Sequence, residues 1–104
     1  MTYLLLRKPN TRRTGAIVQD VWSKGQIALD RDPTVWRFDA CGALIYQWDY
    51  GDTTPGGVGW EIDHIIPVSQ GGGDDLINLQ PLQWENNRAK GDRVGKWTCA
   101  VSFH

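Results

Sequence analysis

The sequence predicts a small α+β domain. Its expected centre is a two-stranded antiparallel hairpin followed by a helix, with a further helix and a short β-hairpin upstream. Two strand-like runs in the second half of the chain, the helical pattern after them and a helical spacing of apolar residues near the start support this prediction. A length of 104 residues suits one compact domain with one modest core. We therefore treat residues 1–104 as a single domain.

The first half of the chain predicts a helix and then a hairpin. Basic side chains cluster in residues 1–14, and we predict an extended or partly disordered basic arm there. Apolar residues recur every three to four positions across residues 16–24, which predicts an amphipathic helix that ends at Gly25. Short strand-like runs over residues 35–39 and 43–46 flank a Cys-Gly pair and predict a β-hairpin.

The second half predicts two strands that are joined by a glycine-rich loop and followed by a helix. Side chains across residues 60–67 alternate between two faces, as in a strand. Three consecutive glycines place a loop over residues 68–75, and residues 78–82 predict the second strand. A short helix is expected over residues 83–90, where Gly91 suits the C-terminal cap.

The charges of the chain nearly cancel, since it has eleven basic and twelve acidic residues. The net charge of the chain therefore does not favour binding to nucleic acid. The basic residues nevertheless cluster near both ends, while acidic residues dominate between them. Such clusters can bind phosphates, although solvated surface charge is the commoner explanation. An apolar fraction of 40% with 22% charged residues is that of an ordinary soluble protein.

The termini and the cysteines predict the compartment. The apolar run near the start is too short for a signal peptide or a membrane span, so we expect a cytoplasmic protein with no membrane partner. Cys41 and Cys99 are far apart in sequence, and neither belongs to a Cys-x-x-Cys pair. In a reducing compartment we expect both to be buried thiols rather than a disulfide.

Four polar residues have the spacing expected of a metal-dependent hydrolytic site. Asp63 offers an anionic oxygen and Asn87 a neutral amide oxygen. Together they suit one hard divalent ion, Mg²⁺ or Mn²⁺, which keeps positions for water and phosphate oxygens. Histidine accepts protons near neutral pH, so the adjacent His64 is a candidate base. Asn78 is placed to hold the His64 ring or its strand. Each residue alone has a structural explanation, and only the joint spacing indicates a site.

This pattern resembles the HNH endonuclease motif of the ββα-metal superfamily. The resemblance rests on Asp-His-Ile-Ile-Pro from Asp63, a Gly-Gly pair, Asn-Leu-Gln from Asn78 and Asn-Arg-Ala-Lys-Gly from Asn87. It covers residues 58–93, which we take as the motif core, and family-like features extend upstream. The resemblance implies that His64 is the general base and that Asn78 orients it. It also implies that Asn87 binds the metal beside Asp63.

Many relatives in this superfamily also hold a structural zinc ion with two Cys-x-x-Cys pairs. Gln83 and Asn86 stand where the second pair would lie, and Cys41 has no near partner in sequence. We therefore expect no structural zinc. Tryptophans are expected to fill the corresponding volume, with at least four of the six in the core.

Basic residues around the motif are candidates for contacts with the DNA backbone. Arg88, Lys90 and Arg93, on and after the predicted helix, could neutralise phosphates. Arg37 on the upstream hairpin is a weaker candidate. Glu61 is expected to form a salt bridge with Arg88 or Arg93. No specificity element is visible, so sequence preference should be weak unless a homodimer or a larger protein partner supplies it.

The leading hypothesis is a metal-dependent HNH endonuclease that nicks or cuts DNA by hydrolysing phosphodiester bonds. A catalytically inactive nucleic-acid-binding module of the same fold is the alternative. A tryptophan-lined carbohydrate-binding module is a third hypothesis, but it leaves the adjacent acid and histidine unexplained. Biological pathway, sequence specificity and the choice between nicking and double-strand cutting stay open.

Overall fold

The computed structural model of the protein describes residues 11–102, and within the first helix it describes side chains from residue 17 onward. In chain order the elements are helix α1 (Thr11–Trp22), strands β1 (Gln26–Ile27), β2 (Trp36–Phe38), β3 (Leu44–Tyr46), β4 (Trp60–His64) and β5 (Leu79–Gln83), and helix α2 (Trp84–Lys90). The predicted α+β class is confirmed. Neither helix in this part of the chain is long and apolar enough to cross a bilayer.

Helix α1 begins earlier than its apolar spacing predicts. It starts at Thr11, so residues 11–14 are helical and the expectation of an extended arm is wrong there. Arginine is a good helix former, a preference that apolar spacing does not capture. Residues 1–10 of the predicted arm lie outside the described residues. After α1, a tight turn leads to Gly25, whose N–H donates to the Trp22 carbonyl at 2.9 Å.

The predicted upstream hairpin is confirmed, and it carries a third strand. Strands β2 and β3 pair antiparallel with Arg37 opposite Ile45. Strand β1 pairs with the other edge of β2, also antiparallel, which gives the order β1-β2-β3. With two residues, β1 is too short to show an alternating pattern, so the sequence does not predict it.

Strands β4 and β5 form a separate two-stranded antiparallel sheet. Trp60 lies opposite Gln83 at one end, and His64 lies opposite Leu79 at the other. Helix α2 follows β5 directly and contacts both strands. These three elements are the ββα unit that the sequence predicts.

A capping side chain begins helix α2, and a glycine ends it. Gln83 caps the start, because its side-chain oxygen accepts from the backbone N–H groups of Glu85 at 2.8 Å and Asn86 at 3.1 Å. Gly91 ends the helix with a φ of 55°, a region that favours glycine. Both ends of this seven-residue helix are therefore fixed relative to the strand that precedes it.

The core lies between α1 and the two sheets. It consists of Val21, Trp22, Ile45, Trp60 and Leu79. The ring centroids of Trp22 and Trp60 are 5.3 Å apart. These are the two tryptophans that are fully buried, whereas Trp48 is 64% exposed. The expectation of at least four core tryptophans is therefore wrong, because only Trp22 of α1 and Trp60 of β4 belong to this small core.

A disulfide joins Cys41 in the hairpin turn to Cys99 near the C-terminus, with a Cα–Cα distance of 6.0 Å. The prediction of two buried thiols is wrong. The two cysteines are 58 residues apart, and they meet because the chain after α2 returns to the hairpin. There the side-chain oxygen of Asn86 accepts from the N–H groups of Ala100 at 2.7 Å and Val101 at 2.8 Å. Because the Cys41 sulfur is bonded to Cys99, it is not available as a thiolate ligand for zinc.

A buried carboxylate, which sequence reasoning did not single out, ties the hairpin turn to the start of α2. Asp39 is 1% exposed. It accepts from the backbone N–H groups of Cys41 and Ala43, both at 2.9 Å. It also accepts from the Gln83 backbone at 2.8 Å and the Asn86 side chain at 3.0 Å. Gln83 and Asn86 are therefore both hydrogen-bonded to a buried carboxylate in this protein.

Candidate active site

A cleft of about 330 Å³ lies between the end of β4, the loop after it and helix α2. It is lined by Ile62, Asp63, His64, Pro67, Val68, Ser69, Asn87, Gly91 and Asp92. Three of the four predicted site residues, Asp63, His64 and Asn87, therefore share one cleft. The fourth, Asn78, lies behind the loop that forms one wall.

Asp63 is a buried carboxylate with two donors. It is 5% exposed. Its Oδ1 lies 3.1 Å from the Lys90 ammonium, and its Oδ2 accepts from Gln80 Nε2 at 2.9 Å. A buried carboxylate is stable only when charge and hydrogen bonds compensate its lost hydration. Each Asp63 oxygen has a second lone pair, so either can accept one further partner from the cleft.

Lys90 differs from its expected place on a DNA-binding surface. It is 3% exposed. Besides its contact with Asp63, its ammonium donates to the backbone carbonyl of His64 at 3.0 Å. Because Lys90 neutralises the buried acid and holds the end of β4, its charge is not presented to a phosphate on the surface.

The Asn87 side chain is oriented by Glu61. Its Nδ2 donates to Glu61 Oε1 at 2.8 Å. A carboxylate can only accept, so the amide nitrogen must face Glu61 and the amide oxygen must point away from it. No donor within the described part of the chain bonds to that oxygen. It is therefore available to a cation in the cleft.

The expected salt bridge of Glu61 is confirmed with Arg88, at 2.8 Å between Glu61 Oε2 and the Arg88 guanidinium. The hydrogen bond to Glu61, and then its charge, raise the pKa of Arg88. The Arg88 guanidinium also lies over the Trp84 ring, 5.5 Å from its centroid. Its side chain is 58% exposed, so it remains accessible on the outer face of α2.

Among the side-chain hydrogen bonds of Asn78 in the described structure, none reaches the His64 ring, and Asn78 instead closes the loop after β4. Its Oδ1 accepts from the Ile66 N–H at 2.8 Å. Its Nδ2 donates to the carbonyls of Ile66 at 3.0 Å and Gly73 at 2.9 Å. The ring is contacted by Asp74, whose Oδ1 lies 2.8 Å from His64 Nε2. Sequence reasoning missed Asp74, although a carboxylate directly after the glycine run was a signal that it could have used.

The remaining predicted DNA contacts differ in their accessibility. Arg93 is exposed and donates to the Ala89 carbonyl at 2.9 Å. Arg37 is half-buried, and its guanidinium donates to the carbonyls of Ser23, Gly25 and Pro33. The Ser23 and Gly25 carbonyls belong to the turn after α1, and the Pro33 carbonyl belongs to the segment before β2. Arg37 therefore joins these two segments and has a structural position. Arg88 and Arg93 are the predicted contacts that stay on the surface beside the cleft.

We expect Gly72→Ala to distort the loop wall of the cleft and Gly73→Ala to leave it intact. A methyl group on Gly72 would lie 1.7 Å from the Ile66 carbonyl oxygen, whereas one on Gly73 would meet nothing within 4 Å. Gly72→Ala should lower the free energy of unfolding by about 1–3 kcal/mol, the usual range for overpacking. Denaturant unfolding of the two variants measures this difference. Equal stability would show that the loop does not hold this close contact.

Comparison with known families agrees with the position of the cleft. Residues 51–93 match the family model for the HNH endonuclease. These residues form an HNH domain. The HNH domain contains β4, β5 and α2, and it contains every residue that lines the cleft. No curated protein and no solved structure matches the chain.

Few side chains of the HNH domain are placed to bind a divalent ion. Within residues 11–102, no group of three or more His, Cys, Asp or Glu side chains converges as a metal-binding cluster. Asp63 and Asn87 nevertheless line one cleft. One carboxylate and one neutral oxygen suit a hard ion that retains several waters and takes phosphate oxygens. The residues present therefore fit Mg²⁺ or Mn²⁺.

Proposed function

We propose that this protein is a metal-dependent HNH endonuclease that hydrolyses phosphodiester bonds in DNA. The observation that supports the proposal most directly is the shared cleft, in which a carboxylate, an imidazole and an unbonded amide oxygen come together from β4 and α2. The family match over residues 51–93 supports the same chemistry. The cytoplasmic location stays a prediction, and the disulfide weighs against it, because reducing compartments keep thiols reduced.

In this proposal Asp63 and Asn87 hold one Mg²⁺ or Mn²⁺ ion. When bound, the ion supplies positive charge to the phosphate oxygens and to the departing oxygen. Glu61 keeps the Asn87 amide oxygen directed away from itself, through the 2.8 Å hydrogen bond to the amide nitrogen. Lys90 compensates the buried charge of Asp63 and holds the β4 backbone at His64.

His64 acts as the general base. Its ring lines the cleft, where it accepts a proton from a water molecule as the water oxygen attacks phosphorus in line. The bond from phosphorus to the 3′-oxygen breaks, and that oxygen takes a proton from solvent. Following the family resemblance, the products carry a 5′-phosphate and a 3′-hydroxyl.

DNA contact in this proposal falls to the exposed arginines beside the cleft, Arg88 and Arg93. Each contacts phosphate oxygens, which carry no sequence information, so sequence preference is weak. Arg37 and Lys90 contribute through the structure of the domain. A homodimer or a larger partner remains a prediction.

A plasmid assay with a metal-binding variant tests the proposal. Supercoiled plasmid incubated with the protein and Mg²⁺ or Mn²⁺ should become nicked or linear, and EDTA should prevent this. Asp63→Asn should weaken Mn²⁺ binding at least tenfold in calorimetric titration, since the ion loses its anionic ligand. Asp30→Asn is the matched control, because Asp30 is an exposed carboxylate in the turn after β1.

Two outcomes would contradict this proposal. Cleavage that persists in EDTA at the same rate would remove the metal from the reaction. DNA binding without cleavage under any metal would favour the catalytically inactive module of the same fold.

A further inference from the structure

The His64 ring has a single side-chain partner within the described residues, and that partner is Asp74. The distance between His64 Nε2 and Asp74 Oδ1 is 2.8 Å. A carboxylate only accepts hydrogen bonds, so in a neutral ring the hydrogen must lie on Nε2. The lone pair then lies on Nδ1, which has no hydrogen-bond partner among residues 11–102. A general base needs such a lone pair on the nitrogen that receives the proton.

The position of Asp74 depends on the closed loop. Its neighbour Gly73 is held through its carbonyl by Asn78 at 2.9 Å, and the same amide group holds Ile66. The N–H groups of Gln70 and Gly72 both donate to the Pro67 carbonyl at 2.9 Å, which folds the intervening chain back on itself. Asp74 itself is 78% exposed in its side chain. The loop, rather than burial, therefore places the carboxylate against the imidazole.

We propose that Asp74 is a positioning residue for His64. By accepting from Nε2–H, it selects the tautomer that leaves the Nδ1 lone pair free and holds the ring in one orientation. Asn78 then acts on His64 indirectly, through the loop that carries Asp74. The consequence for catalysis rests on the proposed function, whereas the selection of the tautomer does not.

The first test reads the tautomer by NMR of the imidazole nitrogens. The chain has two histidines, so His104→Ala leaves His64 as the only signal. Spectra are taken over a series of rising pH values, and the tautomer ratio is read where the nitrogen shifts no longer change with pH. Asp74→Ala should shift the ratio of tautomers towards Nδ1–H by about threefold or more, the effect expected of an exposed charged partner. Asp74→Asn should retain part of the preference, because its amide oxygen still accepts.

The second test reads catalysis in the same variants. Asp74→Ala should lower kcat about tenfold and leave KM for DNA unchanged, and Asp74→Asn should fall between it and the parent. Asp75→Ala is the matched control. Asp75 is the exposed neighbour of Asp74, and its side chain makes no capping hydrogen bond to the turn Leu76–Asn78 that follows it. Thermal unfolding midpoints are measured for all variants, to test whether a lower kcat comes from a general loss of structure.

The outcomes separate this inference from the proposed function. An Asp74→Ala spectrum identical to that of the parent would overturn the inference. A changed spectrum with an unchanged kcat would overturn the catalytic part of it. If the parent protein cleaves no DNA, the proposed function fails, while the tautomer ratio still decides whether Asp74 positions His64.

Discussion

His64→Ala should abolish DNA cleavage and leave DNA affinity intact. The ring lines the cleft beside Asp63 and Asn87, and the loss of a general base typically lowers a rate by about 10² to 10⁴. The substitution should preserve the fold, because Lys90 contacts the backbone carbonyl of residue 64 rather than the ring. Nicking rates and fluorescence anisotropy with labelled DNA measure the two effects separately.

His104→Ala is the control for this substitution, because it removes the other histidine of the chain. It should cleave at the parental rate. A His64→Ala variant that also cleaves at the parental rate would remove His64 from the mechanism. A variant that loses DNA affinity together with cleavage would assign the residue to binding instead.

Removing the disulfide should produce the largest loss of stability. Replacing Cys41 and Cys99 by serine releases a cross-link between residues 58 positions apart. The chain-entropy relation predicts a loss of about 4 kcal/mol for a loop of this length. For a domain of this size, such a loss lowers the unfolding midpoint by about 20 °C. Calorimetry with and without reductant measures the change.

The double serine variant also controls for the reductant itself. Reductant should lower the midpoint of the parent towards that of the variant and leave the variant unchanged. Thiol counting by mass spectrometry verifies the redox state in each sample. A parent protein with the same midpoint in both conditions would show that the cross-link does not stabilise the fold.

The cross-link also bears on the site, because its neighbour Asn86 adjoins the predicted metal ligand Asn87. Asn86 is fully buried and binds both Asp39 and the C-terminal segment at Val101. This network and the disulfide together hold the start of α2 against the upstream hairpin in a domain with a small core.

The HNH unit was predictable because its signals are local. Alternation across residues 60–67 has the period of a strand, and a capping glutamine and a terminal glycine bound the helix after the second strand. The spacing of Asp63, His64 and Asn87 then indicates a site, because a strand and the helix packed on it bring such positions close together. Elements that follow one another in the chain usually lie beside one another in space, which is the physical basis of this prediction.

Partners that are distant in sequence were not predictable in the same way. The contacts of Lys90 with the acid at 63, of Asn87 with Glu61, and of Cys41 with Cys99 join residues 26 to 58 positions apart. Each contact depends on how the helices and strands pack. The periodicity of the sequence does not indicate which side chains will meet. The same reason explains why Asp39 was missed. At Asp74 the preceding glycine run marks a carboxylate in a loop, but it does not indicate that the carboxylate meets the His64 ring.

The order of residues along this chain thus indicated most of its secondary structure, its ββα unit and the chemical groups of its candidate site, because each depends on neighbours within a few positions. Packing alone determined which of those groups are accessible. It buried Lys90 as a counter-ion, directed Arg37 to the turn after α1 and placed Asp74 against the His64 ring. Burial and charge pairing are properties of the assembled interior, where a carboxylate or an ammonium is stable only beside its partner.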